Sequence, residues 1–226
     1  MLQPLARFAA PNLALTFHDV PSPAWFRRAL ESVGRRRRFA APEEVEQMLH
    51  DGRPLHGRCL VTFDDGERSF ADALPVLEAM NAPAVLFVSP GVLASGRNYW
   101  FQELRTLRAA LGDHPLRLAA GARLGLTPAE SAGWPVLSLL KSLRLAQIEA
   151  LLDDLAARHG VDLQRRWNLT LEEVLALDRH PLVTVGAHSM NHPILANESD
   201  ESAWREIGGS VSALQSLLGR PVTLFA

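Results

Sequence analysis

The chain has 226 residues, of which 47% are hydrophobic and 21% are charged, a composition typical of a single globular domain. Its formal net charge of -2 provides no general attraction for nucleic acid or an anionic membrane, so we expect neither as a partner. No apolar run approaches the roughly 18 residues of a membrane helix, and the N-terminus lacks the pattern of a signal peptide. The sequence therefore predicts a cytoplasmic protein. The lone cysteine, Cys59, cannot form an internal disulfide and is interpreted as a small core residue.

Short apolar runs predict strands that are buried on both faces, as in a parallel sheet or barrel. These runs are Leu13–Phe17, Cys59–Phe63, Ala84–Val88 and Leu182–Val185. Apolar periodicity and capping signals predict helices between and after them. These helices cover Phe70–Met80, Leu145–His159, a short segment opened by Thr170, and the region from Trp204 to Leu218. The alternation of strands and helices indicates parallel βα units, hence the α/β class.

Residues from about 99 to 168 break this alternation, because they show helical patterns and no convincing strand. We interpret them as a helical insertion on a barrel-like scaffold within one domain that spans residues 1–226. The last residues, Val222–Phe225, have the pattern of a further strand. A chain that ended there would leave an uncovered sheet edge, so we expect a fragment of a longer chain and an incomplete barrel.

Two adjacent aspartates, Asp64 and Asp65, directly follow the predicted strand Cys59–Phe63 and precede Gly66. Neighbouring carboxylates repel each other and are costly to remove from water. Asp-Gly is also a common turn pair, so the segment alone would be compatible with an exposed turn. A buried position would instead require a positively charged partner, most simply a metal ion.

Candidate partners lie in the segment VTVGAHSMNHP, where His188 and His192 follow the predicted strand that ends at Val185. Gly186 and Pro193 argue against a helix across this segment. Because the carboxyl ends of parallel strands share one edge, we expect both histidines to lie near the aspartates. One carboxylate and two imidazoles leave coordination positions open, as in catalytic zinc sites, although Fe(II), Co(II) or Mn(II) would also suit them. The second carboxylate would then be available as a base.

The motifs TFDDG and HSMNHP together resemble the polysaccharide deacetylases of the NodB-homology type, carbohydrate esterase family 4. The segments LTFHDV, ALPVLEAMNAPAVLFV and LTLEEVLAL add to this resemblance. It implies a distorted (β/α) barrel and metal-dependent removal of acetyl groups from N- or O-acetylated sugars. By motif position it implies Asp64 as general base, with Asp65, His188 and His192 as metal ligands. Zinc is the metal we expect, with cobalt, manganese or iron as alternatives.

The sequence departs from that family towards its end. Members usually continue into a Tyr-Pro-x-Gly segment and then a Leu-x-His motif that supplies a general acid, and the 226 residues contain neither. Two alternatives therefore stay open. The chain could be a relic or carbohydrate-binding domain that keeps the metal without the chemistry, or another metallohydrolase on the same scaffold. The sequence identifies neither the sugar nor the oligomeric state.

Three further features have competing interpretations. His18 and Asp19 end the first predicted strand, where they could support the site or form an ordinary turn. The run from Arg35 to Arg38 is interpreted as a solvated loop rather than a phosphate or nucleic-acid site. Tyr99 and Trp100 are expected to be packing residues rather than sugar-stacking platforms.

Overall fold

The structure is a computed structural model, and it describes residues 11–52 and 56–226. Residues 1–10, which belong to the N-terminal stretch without a signal-peptide pattern, lie outside this range. Five strands form one sheet with the order β1-β3-β4-β5, and β2 pairs with β3. The strands are β1 (Leu13–Phe17), β2 (Arg38–Phe39), β3 (Arg58–Phe63), β4 (Ala84–Val88) and β5 (Val183–Ala187). All four strands predicted from apolar runs are therefore present.

Helices occupy most of the remaining chain. They are α1 (Pro23–Gly34), α2 (Pro42–His50), α3 (Phe70–Met80), α4 (Pro90–Ser95), α5 (Trp100–Leu111), α6 (Asp113–Arg123), α7 (Pro128–Ala132), α8 (Val136–Leu140), α9 (Leu145–His159), α10 (Leu171–Leu177) and α11 (Asp200–Leu218), with a short 3₁₀ helix at Leu195–Asn197. The glycine and capping-box signals predicted from the sequence are found at the helix ends. Gly160 ends α9 in the left-handed conformation, and Thr170 and Glu173 form the capping box that opens α10.

The chain divides into two compact units. The first unit contains the described residues through Val88 together with Leu169–Gly186 and Leu217–Ala226, and therefore most of the sheet. The second unit contains Ser89–Asn168 and Ala187–Ser216. The interpretation of residues 1–226 as one domain with an insertion stays a prediction.

The core of the first unit is built on the sheet. β3 pairs in parallel with β1, with Leu13 opposite Cys59 and Phe17 opposite Phe63, and all five residues of β4 are buried. The rings of Phe26 and Phe70 meet that of Phe63 edge-on at 5.5 and 4.8 Å between centroids. Cys59 is fully buried, and burial raises the pKa of its thiol. It is a core residue, as predicted.

The second unit has a separate apolar core. Helices α5, α6, α8 and α9 bury one contiguous cluster that includes Leu107, Leu116, Leu140, Ile148 and Leu152. Every residue from 99 to 168 is described, and the range contains five helices and no strand. Its predicted helical character is confirmed.

The prediction of a strand at Val222–Phe225 is wrong, because only Phe225 forms an isolated β-bridge. The reason lies in Arg220 and Pro221. Pro221 has no backbone N–H to donate, and the Arg220 guanidinium, which is paired with Asp178, donates to the Val185 carbonyl of β5 at 3.2 Å. A side chain thus takes an acceptor that a neighbouring strand would use.

The described strands form an open sheet rather than a closed ring, so the predicted α/β class and incomplete barrel agree with the structure. Across residues 11–52 and 56–226, no helix is both long and apolar enough to cross a membrane. The cytoplasmic location stays a prediction.

Gly186 of β5 is closely packed against neighbouring residues. A Cβ there would lie 2.7 Å from two ring carbons of Phe87 and 3.1 Å from the Leu224 carbonyl oxygen. We expect Gly186→Ala to lower the free energy of unfolding by about 1–3 kcal/mol, the usual cost of overpacking. Urea denaturation provides the measurement.

The matched control is Gly208→Ala in α11, where a Cβ would meet nothing within 4 Å. Because alanine favours helix over glycine, this variant should be more stable by about 0.5–1 kcal/mol. A Gly186→Ala protein as stable as the wild type would contradict the close packing of β5.

Candidate metal centre

The aspartate loop begins where β3 ends. The Asp64 N–H donates to the Phe17 carbonyl at 2.9 Å, which continues the ladder between β1 and β3. Asp65 has a φ of 70° and Gly66 a φ of 61°, so the chain turns sharply through two left-handed residues. A left-handed conformation costs a non-glycine residue about 1–2 kcal/mol. The turn leaves the Asp65 residue only 3% exposed. The exposed turn considered for this segment is therefore not what forms.

Asp64 has a different environment from its neighbour. Its side chain is 13% exposed, and Oδ2 lies 3.8 Å from Nε2 of His18, whose own side chain is 61% exposed. The structure thus brings His18, one of the two residues left undecided at the end of β1, to the aspartate loop. Asp19 is exposed. Asp64 keeps partial exposure while Asp65 is buried, which gives the two carboxylates different environments.

The histidine loop, residues 188–193, begins where β5 ends, as predicted. Ser189 and His192 have positive φ values of 54° and 57°. The His192 N–H donates to the Ser189 hydroxyl at 3.1 Å and closes a tight turn. The imidazole rings of His188 and His192 are 4.9 Å apart between centroids and tilted by 48°. Two rings at this separation can serve a single ion.

Neighbouring buried groups brace the backbone of this loop. The hydroxyl of Ser89, fully buried just after β4, donates to the His188 carbonyl at 2.6 Å. The Ser89 N–H in turn donates to the Tyr99 hydroxyl at 3.3 Å, and Trp100 Nε1 donates to the His192 carbonyl at 3.3 Å. The rings of Tyr99 and Phe101 meet the His192 imidazole edge-on at 5.3 and 5.4 Å.

Residues 190 and 191 of the loop are held by two further elements. The Gly91 N–H of α4 donates to the Met190 carbonyl at 2.9 Å, and a Cβ on Gly91 would lie 2.2 Å from Asn191 Oδ1. On α11, the two carboxylate oxygens of Glu206 accept from the backbone and side-chain N–H groups of Asn191 at 2.8 and 2.9 Å. The loop therefore has a single well-supported conformation.

Most of these supports were not predicted. Tyr99 and Trp100 were expected to be packing residues, and at 2% and 5% exposure they are. What they support, however, is the histidine loop. Ser89 could have been found, because it follows β4 at the carboxyl edge of the sheet, by the same logic as the aspartates. Glu206 carries no comparable signal, since its position on α11 gives no hint of its bond to Asn191.

Asp65 of the first unit and His188 and His192 of the second unit have side chains of the kinds that hold a metal ion. A carboxylate and two imidazoles suit zinc and other transition metals and leave coordination positions open. Backbone strain points to the same residues. Of the four non-glycine residues with positive φ in the described chain, Asp65, Ser189 and His192 lie in these two loops, and strained residues of this kind cluster at functional sites.

Comparison with known proteins agrees with the resemblance drawn from the motifs. The family model described as polysaccharide deacetylase matches residues 128–226, just under half of the chain. That range contains the histidine loop but not the aspartates. No curated protein matches the chain significantly.

Solved structures match over nearly the whole chain. The Streptococcus pyogenes deacetylase PplD in complex with acetate superposes with a TM-score of 0.57 at 18% identity, covering 96% of this chain and 72% of the other. IcaB from Ammonifex degensii gives 0.54 at 16%, with the same coverage. The BpsB deacetylase domain from Bordetella bronchiseptica gives 0.51 at 16%, covering 99% and 81%. The predicted NodB-type deacetylase fold is confirmed.

Ser89→Ala tests the brace behind His188. The substitution removes the hydroxyl that donates to the part-buried His188 carbonyl, so we expect a loss of about 1–3 kcal/mol in the free energy of unfolding. Chemical denaturation measures this loss. Ser216→Ala is the control, because its exposed hydroxyl donates to the Ser212 carbonyl within α11 at 2.9 Å. If the two variants lose equal stability, the proposed brace is unimportant.

Proposed function

We propose that this chain, which has the fold of solved polysaccharide deacetylases and matches their family model over residues 128–226, is a metal-dependent hydrolase of acetylated carbohydrates. It would remove acetyl groups from N- or O-acetylated sugars. The observation that carries the proposal is the donor set itself: a buried carboxylate after β3 and a braced pair of imidazoles after β5. This set is typical of catalytic rather than structural metal sites.

Asp65, His188 and His192 would hold the metal, with zinc the first expectation and cobalt, manganese or iron as alternatives. When bound, a divalent ion polarises a carbonyl group and lowers the pKa of water towards neutrality. The neutral imidazoles would bind through ring nitrogen, and the bonds to the His188 and His192 carbonyls would keep both residues in place.

Asp64 would act as the general base, since its carboxylate can accept the proton of the attacking water. The difference in exposure supports this division of roles: the Asp64 side chain keeps 13% of its surface exposed, while the buried Asp65 is suited to coordination. His18, 3.8 Å from Asp64 Oδ2, would face the base and orient it.

The substrate class rests on the relatives. The family model is named for polysaccharide deacetylation, and one similar structure is a complex with acetate. Acetate is the product that hydrolysis of an acetyl group would release.

Metal binding can be tested without turnover. We expect the metal-free wild-type protein to bind Zn²⁺ with a stoichiometry near one in calorimetric titration. The variant His188→Ala removes a proposed ligand and should weaken Zn²⁺ binding at least about 100-fold. Mutating a residue that only hydrogen-bonds to a ligand already lowers metal affinity about 10- to 100-fold.

The control for the metal titration is His159→Ala, which removes an exposed histidine at the end of α9. It should bind Zn²⁺ as the wild type does. Wild-type protein that binds no metal, or His188→Ala with unchanged affinity, would rule out this ligand set.

Asp64→Asn separates the base from the ligands. We expect acetate release from N-acetylated chito-oligosaccharides to fall at least about 100-fold, the usual contribution of a positioned base. Zn²⁺ affinity should stay within a few-fold of wild type. The control is Asp72→Asn, which removes one negative charge from an exposed position on α3 and should leave acetate release unchanged. Loss of metal in Asp64→Asn would instead mean that Asp64 is a ligand.

A further inference from the structure

A cavity in the first unit is lined by none of the residues of the aspartate loop. It has a volume of about 750 Å³, and Arg35, Arg37, Arg38, Phe39 and Met80 are among its lining residues. We call it the arginine cavity. Its walls come from the end of α1, the start of β2 and the end of α3. In parallel βα units these positions mark the amino edge of the sheet, whereas Asp64 and Asp65 follow β3 at the carboxyl edge.

Positive charge dominates the cavity lining. Its lining residues include three arginines and one acidic residue, Glu31. Arg38 is paired with Glu44, and hydrogen bonds from Arg58 and Arg38 hold the pKa of that carboxyl below its ordinary value. Arg37 uses one donor, Nε, on the Pro11 carbonyl at 2.8 Å. Since a guanidinium has five N–H donors, capacity for a ligand remains.

Apolar surface adjoins the arginines. Phe39 is half-buried, and Met80 at the end of α3 also lines the cavity. Gly34 lies beside the Phe39 ring, since a Cβ at that position would be in van der Waals contact with Phe39 Cε2 at 3.4 Å. A cavity with an aromatic ring, a thioether and several guanidinium groups suits a ligand that has an anionic end and an apolar body.

We propose that the arginine cavity binds a small phosphorylated molecule with a planar or apolar body. The planar guanidinium fork matches two phosphate oxygens at once, and a phosphate can engage more than one such fork. The volume exceeds what a bare phosphate ion fills and lies within the range of small-molecule sites. This site is separate from the proposed metal centre and does not depend on it.

The structure also distinguishes among the four arginines of the run. Arg35, Arg37 and Arg38 line the cavity, while Arg36 is exposed and is not a lining residue. The sequence alone gave no reason to separate them and favoured a solvated loop. Arg36 therefore supplies a control with the same charge change in the same segment.

The test is calorimetric titration of the full 226-residue protein with phenyl phosphate, inorganic phosphate and benzoate at one fixed ionic strength. We expect phenyl phosphate to bind more tightly than either of the others. Arg35→Ala should weaken its binding about tenfold, as expected for the loss of hydrogen bonds to a charged group. Arg36→Ala should change it less than twofold. Circular dichroism verifies that both variants are folded.

Any result that differs from these expectations overturns part or all of the proposal. No binding of phenyl phosphate at millimolar concentration would dismiss the site. Equal weakening by Arg35→Ala and Arg36→Ala would show diffuse attraction by the basic run rather than a cavity. Benzoate binding as tightly as phenyl phosphate would make the ligand a carboxylate, and equal binding of inorganic phosphate would remove the role of Phe39 and Met80. Binding should persist in His188→Ala, because the two sites are independent.

Discussion

Two adjacent carboxylates at the end of a buried strand impose the main electrostatic requirement on this protein. Asp64 and Asp65 follow β3, whose last three residues are buried, and Asp65 itself is 3% exposed. Negative charges placed together away from water are unfavourable unless positive charge faces them. His18 approaches Asp64, and a metal ion shared with His188 and His192 is the partner that we propose for Asp65. The turn at Asp65 and Gly66 makes this arrangement possible, because it directs one carboxylate inward and leaves the other accessible.

The helical region between β4 and α10 has a structural role in the candidate site. The histidine loop contains two residues in the left-handed conformation, whose cost must be offset by other contacts. Ser89 and Trp100 donate hydrogen bonds to its backbone carbonyls, the Tyr99 hydroxyl accepts from the Ser89 N–H, and Glu206 accepts from Asn191. Trp100 opens α5 and belongs to the apolar core of the second unit. A rigid helical core thus holds the imidazoles more accurately than an unsupported loop would.

The two edges of the sheet carry different chemistry. At the carboxyl edge stand the aspartates, and at the amino edge three guanidinium groups surround the arginine cavity. The six residues of β3 between these edges span about 20 Å. That distance is more than twice the Debye length of about 8 Å at physiological ionic strength, so an anionic ligand in the cavity would interact only weakly with the carboxylates. The parallel topology thereby allows two independent sites in one small sheet.

The sequence by itself determined four of the five strands, several helices and the chemical groups of the candidate site. Strand positions, the Thr170 capping box, the Gly160 helix end and the two motifs depend on residues a few positions apart, so local patterns reveal them. Only the tertiary structure decided which groups support the histidine loop, which arginines line the cavity, and that Val222–Phe225 does not pair as a strand. Ser89 and the His188 carbonyl are 99 positions apart, and Arg220 reaches Val185 across 35. Such contacts arise from packing between distant segments, which no local period of hydrophobicity encodes.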